Sequence, residues 1–116
     1  MKPFIALVFS IKIILCLCST SSAEQVVFSE IHYNPKGEKP EYIEIQNLTA
    51  TPKDISHWRM SKGVEFEFPD FNEAEPDRAF LKKWERILLS SVDEVTLRKA
   101  YSIPASTKVY GSWEGT

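Results

Sequence analysis

Glu41-Tyr42-Ile43-Glu44-Ile45-Gln46-Asn47 alternates strictly, with Ile43 and Ile45 on one side and Tyr42, Glu44 and Gln46 on the other. Period two is the signature of a strand with one buried and one wet face. Eleven positions beyond Asn47 stands Trp58, within Ile55-Ser56-His57-Trp58-Arg59-Met60, the expected centre of a core. Val64-Glu65-Phe66-Glu67-Phe68 alternates again, with Val64, Phe66 and Phe68 inward and Pro69 closing the run. The expected structural core is therefore Ile43, Ile45, Trp58, Phe66 and Phe68.

Outward from these strands, Val26 to Tyr33 is rich in β-branched and aromatic residues and reads as a first strand. Asn34-Pro35-Lys36-Gly37 ends it with turn residues, and Ser61-Lys62-Gly63 marks another turn. Asp70 to Asp77 is acidic and irregular. Arg86 to Leu89 reads as a further strand, and Lys108-Val109-Tyr110 starts one more. Between them Ser91-Val92-Asp93-Glu94 has the form of a capping box. It predicts a short helix from Val92 to about Tyr101, with Leu97 and Tyr101 neighbours at i, i+4. Short strands separated by turn signals predict an all-β sandwich with one short helix.

The N-terminus reads differently. Met1-Lys2 is a positive start, Phe4 to Cys18 is mostly apolar, and Ser21-Ser22-Ala23 supplies small residues before Glu24. That is a secretory signal peptide cut after Ala23, which predicts a secreted or cell-envelope protein with no stable membrane insertion after cleavage. The 15 residues from Phe4 to Cys18 fall short of the roughly 20 that span a bilayer. A lipoprotein signal at Cys16 or Cys18 ranks second, because Leu15 and Leu17 stand where a small residue is wanted. Cleavage of residues 1–23 leaves 93 of 116 residues (116 less 23), enough for one domain over 24–116. It removes Lys2 and Lys12, so 12 basic residues (14 less 2) face 16 acidic ones. Both cysteines leave as well, and with them any thiol, disulfide or cysteine-bound metal. The acidic balance speaks against a general nucleic-acid surface.

Val27-Phe28-Ser29-Glu30-Ile31-His32-Tyr33-Asn34-Pro35, the Glu41 to Asn47 strand, Asp54-Ile55-Ser56-His57-Trp58-Arg59-Met60 and Phe66-Glu67-Phe68-Pro69, in that order, resemble the lamin tail domain family in its secreted bacterial form. Ile87-Leu88-Leu89, the helix of Leu97 and Tyr101, and Gly111-Ser112-Trp113-Glu114-Gly115 fit the same type. The resemblance implies an immunoglobulin-like β-sandwich without catalytic residues, used as a docking surface. It implies company on a longer chain, beside an exported hydrolase or a spore-coat-type kinase region. The family passes from its Phe-Pro end to the next strand through a Gly-rich turn, where this chain has Lys82-Lys83-Trp84-Glu85. Its pattern also continues beyond the position of Thr116, so the sandwich is expected to lack its C-terminal strands here.

Few residues suggest chemistry. Glu30 and His32 share a strand face, and with Glu44 they are the ligands of an alternative reading, a metal-dependent hydrolase. Against it stand the scarcity of histidine and an ordinary solvated face of cross-strand polar pairs. A nucleic-acid binder is a second alternative, but Arg59, Lys62, Lys82, Lys83 and Arg86 are dispersed. The acidic stretch lacks the glycine and closing glutamate of a calcium loop, and no serine sits in a nucleophile elbow. Asn47-Leu48-Thr49 is a glycosylation sequon read here as a turn. Trp84 and Trp113 are candidates for exposed aromatic contacts. The expectation is a non-catalytic binding or scaffolding module with a protein or cell-surface partner and no cofactor.

Overall fold

The computed structural model describes residues 25–115. The expected signal segment and its cleavage point lie outside the described residues. The chain forms β1 (Val26–His32), β2 (Tyr42–Asn47), β3 (Lys53–Asp54), β4 (Arg59–Met60), β5 (Phe66–Glu67), a 3-10 turn (Pro76–Ala79), β6 (Phe80–Leu81), β7 (Arg86–Ser90), the helix α1 (Glu94–Ala100) and β8 (Val109–Gly111). The main sheet has the order β1-β2-β7-β8; β3-β6 and β4-β5 pair as two short antiparallel ribbons. Over the described residues the fold is an all-β, immunoglobulin-like sandwich with one short helix.

The alternation of β2 places Ile43 and Ile45 in a core with Ile87 and Leu89 of β7, Tyr110 of β8, and Ile55, Phe68 and Leu81 of the facing layer. Phe66, Val64, Met60 and Trp113 pack around it, partly buried. β7 is buried on both faces, which is why Ile87-Leu88-Leu89 is a continuous apolar run. Its second face, with Leu88, meets Leu97 of α1, Val109, Tyr42 and Tyr101. Tyr42 therefore lies under cover rather than on a wet face. β7 and β8 run parallel, and α1 supplies the crossover that parallel neighbours require.

Trp58 is not in the core: it is 41% exposed. The expectation assumed one continuous strand from Ile55 to Met60, so that Trp58 and Met60 would share a face. Instead the Trp58 N–H donates to the Ile55 carbonyl (3.1 Å), closing a tight turn with His57 in the left-handed region at φ 63. The turn resets the alternation. Ile55, almost fully buried, takes the place expected of Trp58.

The helix starts later than predicted. Asp93 is its cap, accepting from Thr96 N at 2.9 Å, while Thr96 Oγ1 returns a bond to Asp93 Oδ2 at 2.8 Å. These bonds hold the Asp93 carboxyl below its usual range. Ser91, expected as the cap, ties β7 to the start of β2: its hydroxyl accepts from Glu41 N and donates to Glu41 O, both at 3.0 Å. Glu94 pairs with Arg98 Nε at 2.9 Å instead of reaching back. Trp84, standing where a Gly-rich turn was implied, adopts φ 61, a conformation that favours glycine.

Gly111, where the chain leaves the main sheet, has no room for a side chain. A Cβ there would meet the Val92 carbonyl oxygen at 2.5 Å and the Ser90 carbonyl oxygen at 3.1 Å. Both are backbone atoms that do not move alone. Gly111→Ala is expected to cost at least about 2 kcal/mol in denaturant unfolding, as overpacking against fixed neighbours does.

Candidate docking surface

Among the described residues β1 has a strand neighbour on one side only. An antiparallel strand turns alternate N–H and C=O groups to each side, so half of those on β1 meet no strand. Its register against β2 slips between Phe28 and Glu30, a β-bulge that sets Ser29 as the extra residue. In a regular strand Phe28 and Ile31, three apart, would point to opposite faces. Across the bulge Phe28 faces Ile45 and Ile31 faces Ile43, and directly opposed residues share a face. Phe28 and Ile31 thus lie on the core side of the sheet, yet the second layer does not reach them: they are 59% and 65% exposed, and Tyr33 next to them 76%.

Two grooves flank this row. One, of about 450 Å³, runs between Val26 and Phe28 of β1 and Trp58, Met60 and Phe68. The other, of about 250 Å³, lies between Ile31 and Tyr33 and Val64, Lys62 and Trp113. Trp58 owes its exposure to the first groove and Trp113 lines the second. Trp84 is exposed on the turn before β7 and borders neither.

The opposite face of β1 carries Glu30 and His32, in register with Glu44 and Tyr42. The two carboxylates face each other, and each is held by partners of its own. Tyr42 Oη donates to Glu30 Oε1 at 3.0 Å and Ser29 Oγ donates to Glu44 Oε1 at 2.7 Å. Arg86 Nε lies 3.7 Å from Glu44, and His32 Nδ1 lies 3.7 Å from Glu30. The His32 ring stacks on Tyr42 with centroids 4.8 Å apart, and Tyr101 meets both rings edge-on. Burial, then the bond to Glu30 and its charge, push the Tyr42 phenol up to about 12. Among the described residues no group of three His, Cys, Asp or Glu side chains is gathered to hold a metal ion. Glu30, His32 and Glu44, the ligands of the hydrolase alternative, are engaged as cross-strand structural pairs. Of the basic residues considered for nucleic acid, Lys82 pairs with Asp77 at 3.3 Å and Arg86 lies beside Glu44.

Glu30→Gln combined with His32→Ala is expected to keep the fold at a cost of about 1–2 kcal/mol, because it removes the His32 stacking on Tyr42 and weakens the bond from the Tyr42 hydroxyl. Thermal melts would check the fold, and elemental analysis of both proteins would check for metal. Stoichiometric metal lost in the double variant would restore the hydrolase reading.

The docking face was less legible in sequence than the core, because alternation alone does not reveal a bulge. The signal present was Phe28 and Ile31 separated by Ser29-Glu30, two large apolar residues at a spacing that an unbroken strand cannot keep on one face.

Among the described residues the sandwich leaves one apolar row uncovered, on β1, and such a row is a contact surface. The model of the Lamin Tail Domain family matches residues 19–113, and the chain belongs to that family. The family is one of non-enzymatic, immunoglobulin-like domains and implies a binding module. No curated protein and no solved structure matches the chain.

Proposed function

We propose that the chain is the non-catalytic binding or scaffolding module of an exported protein, secreted or held in the cell envelope. Residues 1–23 direct export and are removed after Ala23. The module works beside a hydrolase or spore-coat-kinase-like region of a larger chain, and its partner is a protein or a cell-surface component. The observation that carries this reading is the uncovered row of Phe28, Ile31 and Tyr33. Exposed apolar rows of this kind are contact surfaces, whereas the polar side chains beside it are engaged within the fold. Among the described residues no helix is long and apolar enough to cross a membrane.

The test is site-specific photo-crosslinking in cells that make the full chain. A photoreactive side chain at Phe28 should give discrete adducts, and one at Thr96, exposed on α1, should give none. Equal labelling from both positions would remove the β1 face as the contact surface. Terminal sequencing of the exported protein should begin at Glu24; retention of residues 1–23 would overturn the export reading.

A further inference from the structure

Resting on that reading of β1 as the contact surface, we propose that the first partner of β1 is β1 of a second copy of this chain, paired antiparallel about a two-fold axis.

The two edges of the main sheet are unlike. At β8, the Val109 carbonyl accepts from Arg78 Nη2 at 2.9 Å, and the Arg78 guanidinium lies over the Tyr110 ring at 4.4 Å. That edge is covered from within the chain. Among the described residues nothing covers the β1 edge, and its sequence from Val26 to His32 lacks the lysines and prolines by which exposed edges are commonly blunted.

The bulge, itself often a blunting device, here sets the register. With the two-fold axis between Ser29 and Glu30, Phe28 of one copy stands opposite Ile31 of the second copy, and Val26 opposite Tyr33. All four lie on the core side, so apolar meets apolar at each position. The bulges oppose each other and stay in step. On the other face Glu30 meets Ser29 and His32 meets Val27; the two Glu30 carboxylates flank the axis there, and their repulsion weakens the pairing. Every contact made by one copy is repeated by the other, as an isologous interface requires. The grooves follow the same symmetry: Phe28 of one copy reaches the Ile31–Trp113 groove of the other, and Ile31 and Tyr33 reach the Phe28–Trp58 groove. The result is one eight-stranded sheet across two molecules.

Area sets the strength. Phe28, Ile31 and Tyr33 expose on the order of 400 Å² together, and the groove walls add to it. That stays below the roughly 800 Å² per partner of a standard stable interface. The dimer is therefore weak and reversible, and forms where the local concentration is high.

Sedimentation velocity on the full chain, from about 1 to about 300 µM, spans the range in which an interface of this size associates. The expected result is a monomer at the low end and a dimer at the high end. Ile31→Lys, at an exposed position that the monomer tolerates, should raise the dissociation constant at least about tenfold, since it places two buried charges in each symmetric dimer. Trp84→Gly, remote from β1, should leave it unchanged. An end-capped peptide of residues 25–33 should compete, and a scrambled one should not. A chain monomeric throughout overturns the self-pairing and leaves the module reading to the crosslinking test. A dimer indifferent to Ile31→Lys and to the peptide overturns it too, because it forms through another surface.

Discussion

Asn47→Asp is expected to cost at least about 3 kcal/mol of folding stability at neutral pH. Asn47 is fully buried at the end of β2. Its Nδ2 donates to the carbonyls of Thr51 (2.9 Å), Leu81 (3.3 Å) and Lys82 (3.1 Å). Its Oδ1 accepts from Thr49 N (3.0 Å) and Thr49 Oγ1 (2.7 Å). One amide thus joins β2, the loop after it and the end of β6. An aspartate would keep the Thr49 bonds and turn an anionic oxygen toward three carbonyl oxygens at a buried position. Burying an unpaired charge and stranding several acceptors costs at least about 3 kcal/mol, a large share of the roughly 5–15 kcal/mol that holds a domain. The introduced carboxyl is favoured neutral in the fold, so its folded pKa lies above its unfolded one. Stability should then return in part as the pH falls, because a protonated carboxyl regains a donor, and vanish as the pH rises. Urea titrations at neutral and acid pH would check this. A variant within about 1 kcal/mol of wild type would show that the amide is not the junction described.

Tyr110→Ala is the second large loss expected. Tyr110 is among the largest fully buried side chains, packed edge-on to Phe68 with centroids 5.1 Å apart and topped by Arg78. Its hydroxyl donates to the Arg78 carbonyl at 2.9 Å. Truncating a buried aromatic to alanine costs about 3–5 kcal/mol. Tyr110→Phe keeps the ring and strands one carbonyl, for about 1–2 kcal/mol. Burial pushes the Tyr110 phenol up to about 12. The unfolded chain releases this proton near its ordinary value of 10 and the folded chain holds it longer. Stability is therefore intact below pH 10 and falls between about 10 and 12, by on the order of 2 kcal/mol. Tyr42 acts in the same direction, less so for its greater exposure. Tyr110→Phe should flatten the alkaline slope in denaturant titrations; an unchanged slope would assign it elsewhere.

These two residues show where sequence reading succeeds and where it stops. Local alternation placed Ile43, Ile45 and Phe68 on an inward side, and they lie in the core, because period two is enforced by the strand itself. The same rule misplaced Trp58, since a tight turn at Ser56-His57 interrupts the strand. Asn47 read as a turn residue within a sequon. Its role depends on carbonyls more than thirty positions away, which no local pattern displays. The helix cap was misplaced for a nearer reason: Ser91 is drawn to Glu41 by a tertiary contact, and Asp93 offers its own oxygen to the Thr96 amide instead. Tyr42 looked wet because the helix that covers it belongs to a distant segment. The apolar row on β1 needed the bulge at Ser29, and that became visible only with the register against β2.

The most direct measurement is amide hydrogen exchange along the full chain at low and high protein concentration. β2 and β7, paired on both sides, should be strongly protected throughout. β1 should exchange rapidly when dilute, since alternate amides lack a strand partner, and should gain protection when concentrated, together with the segments around Trp58 and Trp113 that wall its grooves. Protection of β1 equal to that of β2 in dilute protein would contradict the account, because it would mean that the β1 edge and its apolar face are already covered within a single molecule.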